Sequence, residues 1–185
     1  MKKNKYMPAP LFNRLIAYMI DWYISTCLIS LAISIVQSVV NNELVITNSI
    51  ERLNSIQAIF ALIIGVCFVM IYYCYPLFLK KYDGQTIGKH IMGLKVVRYD
   101  YQSLTLKDYF MRYLIGLIVI EENLNTCSFV FRSTLSLLCP HIFVEIIYDV
   151  GIILCIISII LVFTKKHKMI HDLISKTQVI RITNS

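Results

Sequence analysis

Charged residues are scarce in this sequence: Asp, Glu, Lys and Arg make up 16% of its 185 residues, whereas soluble domains average about 25%. Hydrophobic residues make up 57%, which excludes a disordered chain, because disorder requires low hydrophobicity. Nucleic-acid-binding proteins carry their basic residues on a polar surface, so we expect no nucleic-acid partner. A soluble core of this length could not hide so much apolar surface. The composition predicts a small integral membrane protein.

No two cysteines have the Cys-x-x-Cys spacing of metal and redox sites, and we expect neither a metal nor a cofactor. Cys127 and Cys139 fall on the predicted outer side, where an oxidising exterior would allow a disulfide. The chain also lacks internal repeats, linkers and low-complexity segments, so we expect residues 1–185 to form one domain. The other four cysteines lie in predicted membrane spans as small hydrophobic side chains: Cys27, Cys67, Cys74 and Cys155.

Three apolar stretches approach or exceed the roughly 20 residues that a spanning helix needs. They cover residues 11–40, 56–79 and 142–163. A weaker stretch at 109–120 contains Arg112 and is short for a span. We interpret 109–120 as a short or tilted span, followed by an amphipathic outer segment at 124–140. The alternative is an interfacial helix at 109–120 and only three spans.

The positive charge is concentrated in three segments. Fifteen of the 18 Lys and Arg residues lie in 1–14, 80–107 and 164–185. The positive-inside rule predicts that all three segments are cytoplasmic. An even number of crossings must then separate them, which predicts about four transmembrane helices in an all-α, multi-pass protein of the cell membrane with both termini cytoplasmic. We expect the first apolar run to be an uncleaved span, since it is too long and too charged for a signal peptide.

The first predicted span has a polar stripe. Arg14, Tyr18, Asp21 and Ser25 recur at helical spacing and share one face of an otherwise apolar helix. A long Arg14 side chain can reach the headgroups, but a short carboxylate cannot. We therefore expect Asp21 to need a partner, either a cation or a proton.

Two more carboxylates lie near the start of the last span. Glu145 and Asp149 are one helical turn apart. They predict either an ion or proton site or an interfacial acidic pair. Arg112, one turn after Asp108, forms either a local ion pair with Asp108 or the counter-ion of a buried acid such as Asp21.

The glycine-rich segment 83–89 differs from a nucleotide-binding loop in its spacing and in the residue after its lysine. Its glycines instead indicate tight turns. Thr86 is expected to cap a short helix that ends at Gly93, followed by a strand at 94–98 and a possible return strand at 104–106. Together they predict a cytoplasmic helix and β-hairpin element after the second span.

A basic cluster follows the last span and includes two histidines, His167 and His171, one turn apart. The absence of further ligands nearby, apart from Asp172, argues against a metal site. The lysines Lys165, Lys166 and Lys168 are suited to contact anionic lipid headgroups of the bilayer.

The chain resembles the RDD family of small bacterial membrane proteins, named for an arginine and two aspartates. Its first span resembles the family's Arg-x-x-Ala-x-x-x-Asp helix. Its central segment resembles the family's Gly-x-Thr-x-Gly-Lys signature, which is followed by Gly-Leu-x-Val-Val. Its C-terminal segment resembles the family's His-Asp motif. Arg112 matches a further arginine that often opens the next helix. The matching residues, in chain order, are Arg14, Asp21, Gly84, Thr86, Gly88, Lys89, Gly93, His171 and Asp172.

This resemblance implies a transport-related role, and exchange of Na⁺ for H⁺ in some members. Asp21 would then be the exchange site, Arg14 its counter-ion, and Asp172 a gate or anchor at the cytoplasmic mouth. Four spans are few for a carrier, so we expect a homo-oligomer or a membrane partner protein. The alternative is an accessory or immunity-type subunit of a secretion or peptide-export system. We expect no enzyme, since a Glu145–Asp149 dyad would be the sole catalytic candidate and indicates no substrate.

Overall fold

Helices dominate the structure, a computed structural model that describes residues 7–79, 82–120, 126–164 and 168–182. The described residues also contain three short strands, the last of them near the C-terminus. The elements in chain order are β1 (Met7–Pro8), α1 (Leu11–Asn41), α2 (Ser55–Phe78), α3 (Ile87–Ile91), β2 (Leu94–Arg98), α4 (Leu106–Tyr109), a π-helix (Phe110–Ile120), α5 (Thr126–Ser136), α6 (His141–Phe163), α7 (Ile170–Ile174) and β3 (Thr177–Arg181).

Three helices, α1, α2 and α6, are long and apolar enough to cross a membrane among the residues that the structure describes. Their bounds agree with the three long apolar stretches of the sequence to within two residues. Local signals explain two of these bounds. α1 ends at Asn41, and the next residue, Asn42, adopts the left-handed conformation of a helix C-cap. α2 begins with a capping box between Asn54 and Gln57.

The weaker stretch at 109–120 consists of the last residue of α4, Tyr109, and the whole π-helix that continues it, Phe110–Ile120. The predicted outer segment contains α5, which ends at Ser136. Residues 121–125, between the two, lie outside the described part of the chain. Cys139 carries a free thiol, so the disulfide considered for it is not formed.

Small residues on α2 allow it to pack closely against α1. Gly65 lies where a Cβ atom would be 3.7 Å from the Ala32 side chain, an ordinary van der Waals distance. Ala58 and Ala61 on α2 and Ile33 on α1 are also buried. Because lipid tails are as apolar as leucine, close packing of small residues is what holds such helices together in a membrane.

A three-stranded antiparallel sheet gathers distant parts of the chain at one end of the helices. Its order is β1-β3-β2, with Val96 of β2 opposite Val179 of β3. Each strand comes from one of the three basic segments, so these segments lie together. The sheet also corrects the predicted hairpin: β2 pairs with β3, and 104–106 is no return strand. Residues 104–106 instead lead into α4, because Thr105 is its N-cap and forms a capping box with Asp108.

The backbone of Gly84, in the loop before α3, lies very close to the backbone of β2. Its φ is +71°, and a Cβ atom there would be 2.2 Å from the Val96 carbonyl oxygen. The same backbone contact includes a hydrogen bond of 2.8 Å from Val96 N–H to the Gly84 carbonyl. Gly93 also has a positive φ, +63°, but open space surrounds its Cβ position.

We predict that Gly84→Ala lowers the free energy of unfolding by about 3 kcal/mol or more, because strain and a backbone clash add. Gly93→Ala should cost only about 1 kcal/mol, the strain of a left-handed alanine. Thermal unfolding of both variants in detergent measures the difference. Equal unfolding midpoints would contradict the close approach at Gly84.

Candidate functional site

Asp21 is 2% exposed on α1 and is surrounded by hydrogen-bond donors. Its Oδ1 accepts from the Tyr72 hydroxyl at 2.6 Å and from Gly88 N–H at 2.9 Å. Its Oδ2 accepts from the Thr86 hydroxyl at 2.5 Å and from the Lys89 ammonium at 2.9 Å. The partner that the sequence required for Asp21 is therefore the ammonium of Lys89, assisted by three neutral donors.

The glycine-rich segment is folded to present these donors. Thr86 occupies the N-cap position of α3, but its hydroxyl donates to Asp21 instead of capping its own helix. This corrects the predicted capping role of Thr86. Gly88 lies against α1 so closely that a Cβ atom would be 2.3 Å from the Ala17 carbonyl oxygen. The spacing of Thr86, Gly88 and Lys89 thus delivers a hydroxyl, a bare backbone N–H and a cation to one carboxylate.

Lys89 is charged in this setting for a specific reason. Burial acts to lower the pKa of its ammonium, but the charge and hydrogen bond of Asp21, together with Tyr113, offset burial and hold the pKa above its usual value. The predicted counter-ion of Asp21 was Arg14 or Arg112, and this is wrong. The sequence did not reveal Lys89 in that role because it lies 68 positions from Asp21 along the chain, in a segment interpreted as tight turns and a short helix.

Asp172 forms a second ionic cluster with two arginines. Arg14 Nη2 lies 2.9 Å from its Oδ2, and Arg112 Nη1 lies 2.5 Å from its Oδ1. Met169 N–H also donates to Oδ2, at 3.0 Å. Burial alone would raise the pKa of this carboxyl, but the charges of Arg112, His171 and Arg14 hold it well below its usual range. Asp172 therefore remains ionised at neutral pH.

This cluster changes the interpretation of both arginines. Arg14 does not simply extend to the headgroups, because its guanidinium binds Asp172 on α7. Arg112 does not pair with Asp108, whose carboxylate caps α4 through Thr105 and lies 3.8 Å from Arg98. Arg112 instead reaches Asp172 and also donates to Thr177 at the start of β3. It is 2% exposed, so Asp172 compensates a charge that is buried away from water.

Aromatic side chains surround the Asp21 cluster and were missed in the sequence. Tyr73 stacks on Tyr113 with ring centroids 4.2 Å apart, and Tyr72 contacts Tyr73 edge to face. The Ser25 hydroxyl donates to Tyr73 at 3.1 Å. The available signal was the run of tyrosines at 72, 73 and 75 near the end of a span, where a ring can be buried while its hydroxyl bonds a polar partner.

A cavity of about 340 Å³ lies between α1 and α6 and is bordered by both ionic clusters. Arg14, Asp21, Lys89, Arg112 and His171 form its polar boundary. The Asp21–Lys89 pair and the cluster of Asp172 with Arg14 and Arg112 are thus separate, but both border the same cavity.

The structure does not bring Glu145 or Asp149 to this cavity. Glu145 is 61% exposed in its side chain and pairs with His141 at 3.2 Å, and Asp149 is exposed on α6. The exposure of both carboxylates contradicts a buried ion or proton site, and the interfacial acidic pair stays a prediction. His167 lies outside the described residues. Within the described ranges, no cluster of three or more His, Cys, Asp or Glu could hold a metal ion.

A family model supports the resemblance found in the sequence. The model of the RDD family matches residues 8–176, most of the chain. The matched range contains every residue of the Asp21 and Asp172 clusters except Thr177. No curated protein and no solved structure gives a significant match.

We predict that Arg112→Gln lowers the free energy of unfolding by about 3 kcal/mol, because it removes the positive charge that compensates the buried Asp172 carboxylate. Arg132→Gln is the matched control. Arg132 stacks on the Tyr148 ring at 4.1 Å outside the cavity, so its loss should cost no more than about 1 kcal/mol. Thermal unfolding and membrane abundance of the two variants are the measurements. A milder effect at Arg112 than at Arg132 would contradict the assigned pair.

Proposed function

This chain belongs to the RDD family, and on that premise we propose that it exchanges a small monovalent cation such as Na⁺ for a proton across the cell membrane. Asp21 and Lys89 form the exchange site. The observation that carries the proposal is the position of the Lys89 ammonium, which is 2.9 Å from Asp21 Oδ2 and 3.1 Å from Thr86 Oγ1. A hard cation that replaced the ammonium would meet two oxygen atoms, the ligand type it prefers.

Lys89 supplies the coupling to a proton. When a cation neutralises Asp21, Lys89 loses the charge that keeps its own pKa high, while burial continues to lower it. The ammonium then releases H⁺, and the neutral amine remains beside the bound cation. One cation enters and one proton leaves, so the charge of the site is unchanged. Return of the proton to Lys89 expels the cation.

The arginine cluster cannot take part in such a cycle. A guanidinium stays protonated at any physiological pH, so Asp172 is permanently compensated by Arg14 and Arg112. Asp172 acts as an anchor that joins α7 to α1 and to the π-helix. Arg14 is assigned to this anchor rather than to the modulation of Asp21.

Four crossings with both termini cytoplasmic complete the proposal. The sheet supports this number, because β2 and β3 are paired and must lie on the same side of the membrane. If α6 were the sole crossing between these two strands, they would lie on opposite sides of the membrane. We therefore propose one further crossing between Arg98 and His141. The π-helix Phe110–Ile120, together with α4, is the available segment. Because four spans enclose little space, the exchanger is proposed to be a homo-oligomer, and no enzymatic reaction is assigned to it.

One observation favours a second candidate, an accessory subunit of a secretion or peptide-export system. Asp21 and Asp172 each bind donors from several distant elements, as purely structural clamps would. In that role the clusters would fix a docking surface, and the protein would move no ion. Wild-type vesicles would then show no cation-driven proton flux, and a membrane partner would co-purify.

The test is Na⁺-driven proton flux in proteoliposomes with wild type, Lys89→Arg and Lys95→Arg. Lys89→Arg keeps the cation beside Asp21 but cannot release a proton, so flux should fall by about tenfold or more while folding is retained. Lys95→Arg is the control, because Lys95 pairs with Asp83 in a half-exposed bridge outside the site. It should leave the flux unchanged.

Two outcomes would overturn the proposal. Flux in Lys89→Arg equal to that of wild type would remove Lys89 from the exchange site. No flux above protein-free vesicles, with wild-type protein correctly inserted, would remove exchange as the function.

A further inference from the structure

The cavity between α1 and α6 has one polar boundary and long apolar walls. Both walls belong to helices that can span a membrane, so the hydrocarbon core is their natural surroundings. Water fills an apolar gap poorly, whereas lipid chains or protein can fill it. The wall residues on the two helices are Leu11, Leu15, Tyr18, Ile159, Val162 and Phe163.

The polar boundary carries an excess of positive charge. Arg14, Lys89 and Arg112 line the cavity, while Asp21 and Asp172 are the carboxylates that they bind. Three cations therefore face two anions. Nε of Arg112 is also buried without a hydrogen-bond partner among the described residues. One more acceptor with negative charge would balance this boundary.

We propose that the cavity binds an acidic phospholipid of the surrounding leaflet. The phosphate lies at the boundary formed by Arg14, Lys89 and Arg112, and the first part of an acyl chain lies between α1 and α6. Basic pockets between spanning helices on the cytoplasmic side bind headgroups of this class. The volume, about 340 Å³, fits a phosphate and part of a chain rather than a whole lipid.

The position of the cavity favours a lipid over a soluble anion. The boundary lies near the sheet that gathers the basic segments, on the side that the positive-inside rule predicts to be cytoplasmic, where acidic lipids are abundant. A soluble phosphate would gain nothing from the apolar walls. The inference depends on the membrane location and not on cation exchange, so the two proposals fail independently.

The test measures lipid binding to the purified full-length chain by native mass spectrometry and by thermal shift. Phosphatidylglycerol should bind about tenfold more tightly than phosphatidylcholine with the same acyl chains, since the charged headgroup meets the basic boundary. Inorganic phosphate is the third probe and should neither stabilise the protein nor displace phosphatidylglycerol. Equal binding of both lipids, or displacement by phosphate, would overturn the proposal.

Variants that fill the cavity separate this site from general lipid attraction. Leu15→Trp and Ile159→Trp place a large ring between the walls without touching either ionic cluster. They should weaken phosphatidylglycerol binding by about tenfold. Leu31→Trp and Ile153→Trp are the matched controls, because both residues are exposed on the same two helices but do not line the cavity.

The controls should bind phosphatidylglycerol as wild type does. Unchanged binding in both cavity variants, with each variant monodisperse and with a wild-type unfolding midpoint in the absence of lipid, would place the lipid elsewhere and contradict the inference. If one cavity variant misfolds, the other decides, because its substituted residue lies on the opposite wall.

Discussion

The burial of one carboxylate, that of Asp21, governs how this chain is organised. An ionised carboxylate on an apolar spanning helix is costly unless it is compensated by charge and hydrogen bonds. The compensation comes from a segment far along the chain, which must therefore dock on α1. Gly88 permits the approach, Thr86 supplies a hydroxyl, and Lys89 supplies the charge. The glycine-rich segment 83–89 is therefore the part of the chain that compensates the Asp21 carboxylate.

The same requirement organises the C-terminal end of the chain. Asp172 is fully buried and joins α7 to α1 through Arg14 and to the π-helix through Arg112. Thr177, which Arg112 also contacts, begins the strand that pairs with β2. The two aspartates thus fasten both polar segments to the first helix. They differ in chemistry, because one is matched by a lysine, which can give up its proton, and the other by arginines, which cannot.

Much of the fold could be predicted from the sequence, because long apolar runs identify α1, α2 and α6 directly. The site was predicted only in part. Asp21, Arg14, Arg112 and Asp172 were recognised as site residues, but their pairing was wrong, since it depends on tertiary contacts over 60 or more positions. The strand at 94–98 was correct, yet its partner was not. Local sequence favours a near return strand, whereas the structure pairs β2 with β3.

The pairing of Asp21 with Lys89, and not with an arginine, is tested most directly by double-mutant cycles in unfolding free energy. One cycle combines Asp21→Asn with Lys89→Gln, and the other combines Asp21→Asn with Arg112→Gln. We predict a coupling of about 2 kcal/mol in the first cycle, because the two groups are in contact, and near additivity in the second. Additivity in the first cycle with strong coupling in the second would contradict the pairing of Asp21 with Lys89.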